Sequence, residues 1–198
     1  MQLRLILCGA VLALVAPVVA GQGPAAADAA RMGKKVQAIL ERGLAPAPAA
    51  KPLTTSFSEQ ELNAYLKVNA SEELPAGVKH AQITLLDAGK VDTRALVDMD
   101  ALRTAEKRGW LDPLAYVTGM LEVRTVGTFK GANGKGVFTF ESATVDGVPV
   151  PRALMQELVA FYTRTPETPA GILLDQPFDL PSRIREVRLR RGAATVIQ

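Results

Sequence analysis

The chain has 198 residues, of which 48% are hydrophobic, 22% charged and 5% aromatic, with a formal net charge of +3. This composition excludes an intrinsically disordered protein, and the length suits one domain with a sizeable core. Cys8 is the only cysteine and His80 the only histidine, so a disulfide framework, a thiol nucleophile in the mature protein and a His-based metal cluster are excluded.

Residues 1–20 read as a secretory signal peptide. Arg4 is the only charge, an apolar run follows, and Val18 and Ala20 place small residues before a cut at Gly21. The apolar run is short for a membrane span, and an uncleaved anchor is the alternative. Cys8 comes too early to be a lipoprotein cysteine. The chain is therefore expected to be exported, to a bacterial periplasm or beyond.

Residues 21–52 hold an N-terminal helix and a Pro/Ala-rich linker. Met32, Val36, Ile39 and Leu40 share a helical face, with Asp28 as a possible cap and Gly43 as a possible end. Pro46, Pro48 and Pro52 stiffen the linker. The helix either stands apart or packs back on the remainder, residues 53–198, which read as one domain.

That domain opens with "FSEQELNAYL". Ser58 and Glu61 form a capping box, Phe57 and Leu62 a hydrophobic staple, and Leu62, Tyr65 and Leu66 an inner face. Alternation then predicts a hairpin of Val78–Leu86 with Val91–Met99. The pattern lapses from Asp100 to Pro113 and resumes with Leu121, Val123, Thr125 and Phe129 against Glu122, Arg124 and Thr128. Asn133-Gly134 signals a second hairpin. Its return strand alternates Val137, Thr139, Glu141, Ala143 and Val145 with Phe138, Phe140, Ser142 and Thr144. Pro151 suits the first turn of a helix, whose stripe is Leu154, Leu158, Phe161 and Tyr162, flanked by Met155 and Val159. An extended stretch cut by Pro177 and Pro181 follows. The chain ends in a strand or tight hairpin around Arg191-Gly192. Helices beside hairpins, with no β-α-β crossovers, predict an α+β fold on a mostly antiparallel sheet.

Catalytic constellations are thin. There is no G-x-S-x-G elbow, no phosphate-binding loop, no H-E-x-x-H and no Ca²⁺ loop. Glu122 and Glu141 lie on neighbouring strands and could approach as a glycosidase pair, although such residues usually line a solvated face. His80 reads as an exposed strand residue. The basic run Arg183, Arg185, Arg188, Arg190, Arg191 either meets an anionic head group or membrane surface, or is the charged solvent side of an edge strand. Nucleic acid is not expected, with so few aromatics among the basic residues. Phe138, Phe140, Leu154, Leu158 and Phe161 line either a filled core or a tube for an acyl chain.

The helix opening "FSEQELNAYL", the hairpins, "VDMDAL" and the "DGVPVP" lead into "RALMQELVAFY" resemble small periplasmic proteins of the YceB-like kind. They are also similar in layout to LmeA-like phospholipid-binding proteins. The resemblance, over about residues 53–198, implies a half-barrel related to tubular lipid-binding (TULIP) domains: a long curved antiparallel sheet wraps one or two helices around an apolar groove. It implies no catalytic residue and no cofactor. The expected function is a non-catalytic binder or carrier of lipid or another amphiphile. Its groove would be lined by Met120, Phe129, Phe138, Phe140, Leu154, Leu158, Phe161 and Tyr162. Trp110, Leu111, Leu114 and Tyr116 would form a mouth or lid, and Arg183, Arg185 and Arg188 would meet an anionic head group. The alternative is a cell-envelope interaction or scaffold module with a filled core, working through an envelope protein or the membrane surface.

Overall fold

Asn133 and Gly134 take left-handed φ values of 52° and 75°, the conformation a two-residue type I′ hairpin requires and Asn-Gly adopts readily. This turn joins the two longest strands, β4 (Met120–Ala132) and β5 (Lys135–Val145). The structure is a computed structural model and describes residues 23–46, 51–74, 77–101, 118–162, 169–171 and 173–198. The expected signal peptide and part of the expected linker lie outside them.

The other expected hairpin is also present. β2 (Val78–Leu85) and β3 (Lys90–Asp98) are joined through a 3₁₀ turn at Asp87–Gly89. β3 pairs along β4 from Lys90↔Thr128 to Asp98↔Met120. Beyond the end of β3, Gly131 of β4 pairs with Val187 of β8 (Glu186–Arg190). β8 turns at Arg191-Gly192 into β9 (Ala193–Ile197), and β9 carries β1 (Thr54–Ser58). β5 carries the short strands β6 (Val148–Pro149) and β7 (Pro177–Asp179). The result is one open, nine-stranded antiparallel sheet with helices, the expected α+β class. β8 is flanked by β9 and by the tip of β4, so it is not the outer edge strand that its alternating charge suggested.

Three α-helices of more than one turn are described: α1 (Pro24–Leu44), α2 (Glu59–Glu73) and α3 (Arg152–Tyr162). α2 starts on the expected capping box. The Glu61 N–H donates to Ser58 Oγ at 3.1 Å and the Ser58 N–H donates to Glu61 Oε2 at 2.9 Å. α1 packs back on α2, and three details differ from expectation. It begins at Pro24, behind Gly23, so Asp28 lies inside the helix, buried, and accepts from Arg31 and from Gln60 Nε2. Gly43 does not end it; a Cβ there would lie 2.5 Å from the Ser182 Cα, so glycine permits close approach. Leu40 faces outward and is half exposed, while Ala29, Met32 and Ile39 are buried.

The sheet has one apolar and one largely polar face, and a bulge keeps them so. Between Val126↔Ser142 and Gly127↔Phe140 the register slips by one residue of β5. Glu141 is the extra residue, and it joins Ser142 on the polar side, bonded to Thr128 and Lys90. The slip brings Phe138 and Phe140 onto the same face as Ala143, whereas unbroken alternation puts them on opposite faces. This is what a β-bulge does: it shifts every later side chain to the other side.

Candidate functional site

Apolar burial is concentrated in two places. One lies with α1 and α2, where Ala29, Met32, Ile39, Ala64, Leu85, Ala194 and Val196 are buried. The other is a cluster of Ala143, Met155 and Leu174, with Phe138, Phe140, Val150 and Val159 packed against it. Among the described side chains of α3, Met155 and Val159, flanks of the stripe in the sequence reading, pack in the cluster with Ala143 of β5. Asp175 fastens the cluster from outside. It accepts from the Phe140 N–H at 2.7 Å, its own N–H donates to the Phe138 carbonyl at 2.9 Å, and it pairs with Arg152. The Arg152 guanidinium lies 5.7 Å from the centre of the Phe140 ring.

Between these two centres runs the apolar face of β3 and β4. Register places Val91, Thr93, Ala95 and Val97 beside Gly127, Thr125, Val123 and Leu121 in turn; Gly127 is buried and the other seven are half-buried. Among the described residues no large side chain is less than 2% exposed. A filled core would bury these positions fully; here they form an apolar strip between α2, on β2, and α3, on β5.

One end of the strip is closed. The Phe129 and Phe178 rings lie 6.3 Å apart, centre to centre. Three glycines make room for the side chains packed there: a Cβ at Gly127 would lie 2.4 Å from the Phe138 ring, at Gly131 2.9 Å from Val187, and at Gly136 2.8 Å from the Phe178 ring. The outer edge of β2 is also sealed, by a device not anticipated from sequence. Asn63 Nδ2 donates to the Ile83 carbonyl and Asn63 Oδ1 accepts from the Ile83 N–H, both at 2.8 Å. Glu59 accepts from the Leu85 N–H at 2.7 Å, and the Gly192 N–H donates to the Leu85 carbonyl. Glu59 and Asn63 are one helical turn apart, so one face of α2 reads the strand edge. An amide in mid-helix, where Asn is a poor former, was the available signal.

Phe129, Phe138 and Phe140 are half-buried on the apolar face, and Leu154 is half-buried on α3. Met120 differs: it stands on the opposite face at the start of β4 and is 45% exposed. The side chains of Leu158, Phe161 and Tyr162, and all of Trp110, Leu111, Leu114 and Tyr116, lie outside the described residues. Arg183, Arg185 and Arg188 are exposed. Arg185 donates to the Gln198 carbonyl at 3.0 Å, and Arg188 pairs with Glu186 at 2.6 Å. Arg188 points to the polar face, away from the apolar strip.

Family models, curated proteins and solved structures were compared with this chain, and none matches.

The polar face carries ion pairs. Arg124 grips Asp92 through Nε at 2.9 Å and a terminal nitrogen at 2.5 Å, and that guanidinium holds the Asp92 carboxyl below its usual range. Lys90, then Thr128, do the same for Glu141. Glu141 therefore sits at Thr128, six residues along β4 from Glu122, or about 20 Å at strand rise. That is too far for the paired carboxylates of a glycosidase. His80 is exposed at the bulge of β2, with φ 50°. Among the described residues no three His, Cys, Asp or Glu side chains gather to hold a metal ion, and no helix is long and apolar enough to cross a membrane.

Proposed function

We propose that this chain is an exported, non-catalytic binder or carrier of lipid or another amphiphile, and that the ligand's apolar part lies on the strip formed by β3 and β4. The observation that carries this reading is the half-buried apolar face between two separate packing centres. Apolar surface left beside a closed aromatic end gains about 0.8 kcal/mol for each methylene it removes from water. The resemblance to YceB-like and LmeA-like proteins points the same way, and the signal-like start of the chain supports export.

Binding of a fluorescent long-chain fatty acid tests the reading. Saturable binding is expected. Ala95→Trp fills the middle of the strip with apolar bulk, so it should weaken binding about tenfold, the loss expected from displacing two methylenes. Its melting temperature should stay close to that of the parent. No saturable binding by the parent protein, or equal binding by the folded variant, overturns the proposal.

A further inference from the structure

The face of the sheet opposite the apolar strip has an uneven charge distribution. Gly131 and Val187 pair across β4 and β8 on the apolar side, so the next residues, Lys130 and Arg188, fall together on the polar side, with Arg190 two positions further along β8. Like charges set across strands destabilise a sheet. Glu186 compensates Arg188. Among the described residues Lys130 and Arg190 have no carboxylate partner, and both are exposed. On β3 and β4, Arg94 stands directly opposite Arg124. Asp92 bonds to Arg124, and Glu122 lies two residues away. Lys90 is paired with Glu141. The positive excess is thus concentrated where β4 meets β8, on a broad sheet surface whose neighbours are mostly polar.

We infer that this polar face, through Lys130, Arg188 and Arg190, docks the protein on the surface of an anionic lipid bilayer. The patch has cations without the aromatic and apolar centre of a protein interface. An anionic leaflet attracts such cations within a Debye length, whatever the order of its lipids. The surface lies on the side opposite the strip assigned to the amphiphile's apolar part, so docking does not depend on that strip being occupied. Of the two anionic contacts read from sequence for the arginines, it selects the membrane surface over the head group of the bound amphiphile, because Arg188 lies on the face opposite that amphiphile's tail.

Co-sedimentation of the full chain with vesicles tests this. One set is phosphatidylcholine alone; the other contains roughly one third phosphatidylglycerol, at low salt and at about 0.5 M salt, where screening is strong. Binding is expected only to the anionic vesicles at low salt. The double substitution Lys130→Gln with Arg190→Gln should weaken it by about tenfold to thirtyfold, for two surface cations. Both residues are exposed, and an unchanged melting temperature verifies the fold. Equal binding to both vesicle types, unchanged binding by the folded double variant, or binding to soluble polyaspartate with none to vesicles each overturns the inference. Fatty-acid binding is scored separately, so loss of docking with retained ligand binding counts against this inference alone.

Discussion

Glu61 joins two jobs in one carboxylate. It completes the capping box of α2 and accepts from Lys35 Nζ through both oxygens at 2.8 Å, with Arg31 Nε at 3.4 Å. It is 8% exposed, and the Lys35 contact is the main reason its carboxyl is held below its usual range. Replacing it with alanine leaves the half-buried Lys35 ammonium and the Ser58 N–H without their acceptor. A loss of about 1–3 kcal/mol in denaturant unfolding is expected. A carboxyl with a depressed folded value contributes stability that is fully present above the ordinary carboxylate range. The contribution is lost as pH falls through the lowered value. Asp92 acts in the same direction. Melting temperature should therefore drop below about pH 4, and the drop should be shallower in Glu61→Gln. Gly89 offers a second residue-scale test. Its φ is +80°, and a Cβ would lie 2.6 Å from the Phe129 carbonyl oxygen. Gly89→Ala combines backbone strain with overpacking, so it should cost about 2 kcal/mol or more.

α2 works as an edge seal as well as a packing element. Asn63 satisfies both backbone groups of Ile83, and Glu59 takes the Leu85 N–H. Asn63→Leu removes that satisfaction and bares the edge of β2. A loss of about 1–3 kcal/mol is expected, with concentration-dependent association visible in light scattering. Monomeric behaviour with unchanged stability would count against the seal. The locally coded parts of these elements were readable from sequence. The capping box depends on residues three apart, and Asn133-Gly134 on a two-residue backbone requirement. The β2–β3 hairpin was legible from alternation, except that the bulge between Lys79 and Gln82 puts Val78 on the face of Ile83, where alternation puts it opposite. What escaped reading depends on distant partners. β1 is five residues whose strand state comes from β9. The bulge at Glu141 is stabilised by Lys90, fifty-one residues away. Asp28 looks like a cap locally, yet it is buried inside α1 facing Gln60. The half-buried strip was only partly legible, because alternation names its residues but cannot say how far two helices leave it uncovered.

At the scale of the whole molecule, β4 organises the rest. Its middle pairs with β3 and β5, and its far end receives β8. The sheet therefore continues on two levels, with α1 and α2 serving one end and α3 the other. The strip between them is the place assigned to an amphiphile, and the cations at the β4–β8 junction give the opposite face a different use. Native mass spectrometry of the full chain, purified without detergent from cells, tests the central claim most directly. The parent protein is expected to carry a lipid-sized adduct that solvent extraction releases as an acyl-chain compound, while Ala95→Trp, equally folded, should fly mostly bare. Bare parent protein that also fails to take up added fatty acid would contradict it.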